Sequence, residues 1–179
     1  IENIAIIRSS GAKGNSFVNI FEKNDEIKSI YSFSRNPMDI KSHKVFSYEI
    51  NFEDEKVIEN ASLIASKEKP IDLVIVASGI LSGSDFRPEK SLKELSYEKF
   101  NQLFFTNTIG PALIAKYFLP KLNKNKTSVF AALSARVGSI SDNYLGGWYS
   151  YRASKSALNM VLKNASIELS RSNKNSIVI

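Results

Sequence analysis

Tyr151 and Lys155 lie four residues apart in GGWYSYRASKSALN, just after two glycines. On a helix that spacing puts the phenol and the ammonium on one face. A free tyrosine ionises near pH 10 and is a poor acid or base at neutrality. An ammonium within ~4–6 Å favours the phenolate and lowers that pKa. Such a tyrosine can give a proton to a carbonyl oxygen, or take one back in the reverse direction. The spacing alone is a weak signal, because Tyr117 and Lys121 in YFLPK repeat it. Pro120 falls inside that second copy and is expected to end its helix and splay the pair. Without other support, the Tyr151–Lys155 pair also reads as an exposed helix pair of little consequence.

The elements that would position this pair follow from the apolar pattern. Strand candidates are Asn3 to Arg8, Ser29 to Ser34, Val45 to Ile50, Asp72 to Ala77, Ser128 to Leu133 and the terminal SIVI. Several are apolar at consecutive positions, as a strand covered by helices on both faces requires. Between them lie amphipathic stretches. Phe17, Ile20 and Phe21 fall on one helical stripe, as do Val57, Ala61, Ile64 and Ala65. A long helix carries Phe100, Leu103, Phe104 and Asn107 inward, and a second long helix carries the Tyr151–Lys155 pair. The link RNPMDIKSHK is too short and polar for a crossover helix. Strand–helix alternation at this spacing predicts an α/β fold with a doubly wound parallel sheet. No linker, repeat or low-complexity tract divides the chain, which reads as one domain over residues 1–179.

In such sheets ligands bind beyond the carboxyl ends of the strands. After the first strand comes RSSGAKGNSF, where Ser9, Ser10, Gly11 and Gly14 make a candidate pyrophosphate turn. A plain strand-to-helix turn is the competing reading. After the second strand, about twenty residues on, stand Ser34, Arg35 and Asn36 where an acidic residue would bind a ribose 2′-hydroxyl. A guanidinium at that place suits a 2′-phosphate, which favours NADP over NAD. A surface arginine in a basic protein is the alternative. Glu49 and Ile50, at the end of the third strand, join the candidate cofactor contacts. Ala77, Ser78 and Gly79 after the fourth strand would let a cofactor approach the backbone, or simply close a tight strand end.

Composition narrows the classes. The 179 residues carry 43% hydrophobic and 23% charged residues, ordinary for a globular domain. Zero cysteines exclude disulfide and thiolate chemistry, and one histidine, His43, argues against a metal site. The net charge of +6 is scattered among acidic residues, so a basic surface is preferred to nucleic-acid binding. No apolar run reaches the ~20 residues of a membrane span, and no signal peptide opens the chain, so a cytoplasmic protein is the default. The chain begins at Ile1 without methionine and ends on a strand barely begun, which suggests a piece of a longer protein.

NTIGPALIAKYFLPKL, LSARVGSISDN and GGWYSYRASKSALNM together resemble the short-chain dehydrogenase/reductase family, and more closely its small C-factor-like, sniffer-like carbonyl reductase branch. The resemblance runs through essentially the whole chain and is most specific from Arg87 to Leu169. It implies a Rossmann-type fold that stops after the sixth strand and lacks the substrate-covering segment, so that this chain alone would be inactive while a longer parent is an NADP(H)-dependent reductase, with NAD also possible. It implies Tyr151 as the catalytic tyrosine and Lys155 as the lysine that holds the nicotinamide ribose and lowers the tyrosine's pKa. It implies Asn107 as the residue that kinks the long helix and positions a water in the proton relay. The catalytic serine is expected at Ser134, with Ser139 as the alternative, because Ala135 stands where the hydroxyl would fall. Arg8, Ala12 and Lys13 depart from the family's glycine-rich turn, and Val76 from its asparagine-rich motif. The substrate would be a small-molecule carbonyl or alcohol. The resemblance also implies a homodimer or homotetramer through the helices Tyr97–Leu119 and Ser150–Arg171. A non-catalytic nucleotide-binding signalling protein on the same scaffold is the competing function.

Overall fold

Ile4, Ala5, Ile6 and Ile7 are consecutive apolar residues, and all four are fully buried. They form β1 (Asn3–Ile7), an inner strand of a six-stranded sheet in a computed structural model that describes residues 1–83 and 86–179. The other strands are β2 (Ser29–Ser34), β3 (Val45–Glu49), β4 (Leu73–Val76), β5 (Ser128–Ala132) and β6 (Ser176–Val178). Their order is β3-β2-β1-β4-β5-β6, and every pairing is parallel. This is the expected doubly wound arrangement.

Alternate residues of each strand feed two cores. Ala5, Ile7, Phe33, Val74 and Val76 pack with Ala61 and Ala65 of α2 (Glu55–Ser66). Ile114 and Phe118 of α4 (Gly110–Phe118) and Leu158 and Leu162 of α5 (Tyr149–Leu169) complete that layer. Ile4, Ile6, Ile30 and Ile75 pack on the other face with Val18 of α1 (Ala12–Glu22). Burying a side chain of this size contributes about 1.5–3 kcal/mol. α3 (Tyr97–Phe104) continues into α4 through a π-turn at Phe105–Ile109. Asp54 and Ser96 start α2 and α3 by accepting hydrogen bonds from Lys56 N and Lys99 N, caps worth about 1 kcal/mol each.

Several details differ from the pattern reading. Ile20 is 63% exposed, because the inward stripe of α1 runs through Val18 with Phe17 and Phe21 at its edges. β2 keeps its expected bounds, and each of the other five strands loses one end residue or two: Arg8 leaves β1 because its φ is +65°, outside the extended region. The link over residues 35–44 holds no helix, as expected, and tucks Met38 and Ile40 against the second core. Pro120 sits in a 3₁₀ turn at Leu119–Lys121, one residue beyond α4, so the second Tyr–Lys pair is not on one α-helical face. Tyr117 instead bonds Glu55 at 2.8 Å.

Candidate active site

The sheet's connections reverse between β1 and β4, and the strands' carboxyl ends open there onto a cleft of about 350 Å³. α5 delivers Tyr151 and Lys155 to this cleft, and the ends of β4 and β5 deliver Ala77, Ser78, Gly79, Leu133 and Ser134. Gly11, Ala12 and Lys13, around the start of α1, close its other wall.

Lys155 is only 2% exposed, and its Nζ donates to Leu133 O at 2.7 Å. Burial pushes its pKa down to about 8, and the charge of Lys13 adds to the effect. Burial alone acts on Tyr151 and raises its pKa above the usual tyrosine value. The expected lowering of Tyr151 by Lys155 is therefore not what this geometry produces. The ammonium is spent on a main-chain carbonyl, and desolvation of the phenol dominates. The Trp148 ring meets the Tyr151 ring edge-on at 6.3 Å.

Asn107 sits inside the π-turn and is fully buried. Its Oδ1 accepts from Ile80 N at 2.8 Å, and its Nδ2 donates to Ile80 O at 2.9 Å and to Ser154 Oγ at 3.0 Å. Ser154 Oγ donates in turn to Tyr151 O at 2.8 Å, and Thr108 Oγ1 to Ser154 O at 2.8 Å. One asparagine thus ties the β4 loop, the irregular helix and the second turn of α5 together. Its side-chain amide is committed to these partners.

Ser134 borders the cleft and donates to Asn159 Oδ1 at 2.6 Å. Ser139 pairs with Ser141 Oγ at 3.3 Å and is not among the cleft's lining residues.

The other candidates divide. Gly11, Ala77, Ser78 and Gly79 face the cleft. Arg35 and Ile50 border a second cavity of about 220 Å³. Four candidates lie outside both. Ser9 is fully buried, donates to Phe33 O at 3.1 Å and accepts from Ser32 Oγ at 2.8 Å, so its hydroxyl serves the sheet and not a ligand. Ser10 points to solvent, and Glu49 is exposed at the sheet's edge strand. Gly14 is buried against the turn: a Cβ there would stand 2.4 Å from Arg8 O. It shapes the turn without lining the cleft.

The cleft fits a dinucleotide on three observations. Ser78 Oγ is buried without a hydrogen-bond partner among the described residues. Gly79 leaves a cradle in which a Cβ would stand 3.2 Å from Lys155 Nζ. Arg8, Lys13 and Lys155 line the cleft and, among the described residues, no acidic one does, which suits a pyrophosphate.

The sequence reading did not single out Glu89 or Ser154. Glu89 is fully buried and accepts from Ser150 Oγ through Oε1 and from Ser150 N through Oε2 at 3.4 Å, at the positive end of α5. Its carbonyl also accepts from Trp148 N. No local pattern announces such a long-range clamp. Ser154 was legible in principle, as a small polar residue on the helix face one turn after Tyr151.

The family described as short chain dehydrogenase matches residues 5–179. C-signal of Myxococcus xanthus is 33% identical over 100 residues, covering 56% of this chain and 57% of that protein. The curated relatives are matched over roughly half their own length, 42% to 57%. Among solved structures, carbonyl reductase Sniffer of D. melanogaster superposes with a TM-score of 0.86 at 20% identity, over 99% of this chain and 78% of that one. NADPH-bound carbonyl reductase from chicken fatty liver gives a TM-score of 0.83 at 19% identity, over 99% and 74%. No helix among the described residues is long and apolar enough to cross a membrane.

Proposed function

The chain belongs to the short chain dehydrogenase family, and from that premise we propose that the protein is an NADP(H)-dependent oxidoreductase that reduces a carbonyl or oxidises a secondary alcohol. The observation that carries this reading is the meeting of Tyr151, Lys155 and Ser134 in one cleft with the cationic turn and the Gly79 cradle. The bound nicotinamide supplies the hydride. Tyr151, kept protonated through neutrality by burial, donates a proton to the carbonyl oxygen. Ser134 Oγ turns its hydrogen from Asn159 to the same oxygen and stabilises developing charge there. Lys155 holds the ribose. Asn107 and Ser154 fix the distance between the β4 loop and Tyr151. Gly11, Lys13, Ala77 and Ser78 receive the pyrophosphate and adenosine half.

Arg35 favours NADP, and a solved relative described as NADPH-bound accords with that choice. The groove between α4 and α5, lined by Ala115, Leu119, Val161 and Ala165, is where we place a self-pairing surface for a homodimer or homotetramer. A cytoplasmic location belongs to the same reading.

Replacing Tyr151 with Phe tests the assignment. We expect turnover with NADPH and a panel of aldehydes and quinones to fall at least about 10³-fold, while NADPH fluorescence still shifts on binding. Retained turnover contradicts the role. A second reading, a nucleotide-binding signalling protein without turnover, draws on Arg8 at a strained turn position and on the likeness to C-signal. NADPH binding with no oxidation of NADPH by the wild type would favour it.

A further inference from the structure

Gly146, Gly147 and Trp148 are three consecutive residues with left-handed backbone, at φ of 63°, 65° and 52°. Glycine takes that conformation freely, whereas a bulky side chain is strained in it. Trp148 also occupies the capping position of α5, and its side chain makes no capping hydrogen bond there. Serine, threonine, asparagine or aspartate would serve that position better. A tryptophan is thus the wrong residue for both local tasks. Its neighbour is the candidate proton donor: the indole meets the Tyr151 ring edge-on, with centroids 6.3 Å apart. The strained turn is held from two sides. Trp148 N donates to Glu89 O, and Arg152 Nε donates to Gly147 O at 3.1 Å. Trp148 is nevertheless 39% exposed, and Ile140, Tyr144 and Leu145 on the same loop are more exposed still. Tyr151 lines the main cleft and Trp148 does not. The indole therefore stands on the outer side of the phenol, the side left open when a dinucleotide fills the cleft.

We propose that Trp148 is a specificity-determining residue: its indole forms a wall of the substrate site against Tyr151 and selects aldehydes or ketones that carry an aromatic ring. The inference rests on the reductase reading above and deepens it by naming the substrate class. Two rings with centroids ~4.5–7 Å apart, offset or edge-to-face, attract beyond the area they bury. A substrate ring seated on the indole also removes exposed apolar surface from water. The carbonyl next to that ring then lies at the Tyr151 phenol. Hydride from the reduced nicotinamide adds to the carbonyl carbon, and the Tyr151 proton goes to the oxygen. Backbone strain of this kind persists where a ligand is clamped, and here it fixes the indole beside the reacting group.

Trp148 is the only tryptophan in the chain, so its emission reports on this one place. The test combines that emission, titrated with benzyl alcohol and with cyclohexylmethanol, with NADPH-dependent kcat and KM for benzaldehyde, cyclohexanecarbaldehyde and propanal. Benzyl alcohol should shift the emission of the wild type at lower concentration than cyclohexylmethanol does. Trp148→Gly, which suits the left-handed backbone, should raise KM for benzaldehyde about tenfold more than KM for propanal, with kcat little changed. Trp148→Phe, which keeps a ring, should recover most of the benzaldehyde KM. Equal losses on benzaldehyde and propanal would make Trp148 a prop for Tyr151 and overturn the proposal. Equal losses on benzaldehyde and cyclohexanecarbaldehyde would make the wall merely apolar and overturn the aromatic class. Emission unmoved by benzyl alcohol would overturn the proposal too, while turnover of propanal would leave the reductase reading intact. A wild type that oxidises NADPH with none of the three carbonyls overturns that reading itself.

Discussion

The two ends of the sheet treat buried charged groups differently. At the amino end, Asp72 is 1% exposed and every oxygen is engaged. It accepts from Glu2 N at 2.7 Å and Asn123 Nδ2 at 2.9 Å, and Lys126 lies 3.1 Å away. Burial pushes its carboxyl up, but the donors from Glu2, Asn123, Lys126 and Asn3 outweigh it and hold the pKa below the usual value. Asn3 donates to Ala65 O and Lys69 O, both at 2.9 Å, although its Oδ1 finds no partner among the described residues, and Ser128 joins the strand ends to Asn123 and Ser176. At the carboxyl end, Ser78 Oγ has no partner among the described residues, Arg8 is strained, and Lys155 is buried at the expense of its charge. A satisfied network rigidifies a fold. Unsatisfied groups gathered in one cleft are retained for something that binds there.

This contrast can be broken by substitution. Asp72→Ala strips several buried donors of their acceptor at once and should destabilise the protein by about 3 kcal/mol in urea melts, with NADPH affinity of the folded fraction unchanged. A loss of affinity as large as the loss of stability would blur the division. The same carboxylate gives a pH signature. Its folded pKa is depressed, so its contribution is present above the ordinary carboxylate range and disappears as pH falls through the folded value. Wild type should lose stability on acidification faster than Asp72→Asn.

Glu89 sharpens the comparison, because it is a satisfied group placed at the functional end. Glu89→Ala should reduce kcat about tenfold with KM little changed, as α5 loses its clamp one residue before Tyr151. Glu89→Gln, which keeps an acceptor, should recover most of the rate. Equal rates in the two variants would make Glu89 a plain core residue. The smallest effect belongs to Arg8→Gly, which should stabilise by about 1 kcal/mol through relief of backbone strain.

Much of this was legible in the chain. The strands were readable because consecutive apolar residues such as Ile4 to Ile7 leave no alternative to two-sided burial. Tyr151 and Lys155 came from helix spacing, and Asn107 and Ser134 from the family resemblance; Tyr151, Lys155 and Ser134 line one cleft and Asn107 bonds Ile80 on its wall. Ser9 was misread as a cofactor donor, since only the pairing of β1 with β2 reveals that its hydroxyl meets Ser32 and Phe33. Glu89 escaped for the same reason: its partner lies 61 residues away. The rise in the Tyr151 pKa was hidden because spacing places a lysine nearby but does not say that Leu133 holds it.

Lys155 carries the central claim, being buried, unfavourable and placed in the cleft. Its folded pKa lies near 8, below the ordinary lysine value, so the unfolded chain binds the extra proton and stability rises with pH between about 8 and 10.4. The decisive measurement is a paired one on Lys155→Met: urea stability across pH 7 to 10, and NADPH titration at pH 7. The account predicts a variant more stable than wild type at pH 7 by ~1–2 kcal/mol, with the difference shrinking as pH rises, and NADPH bound at least about tenfold more weakly. A variant less stable than wild type at pH 7 that binds NADPH as well as wild type would contradict it.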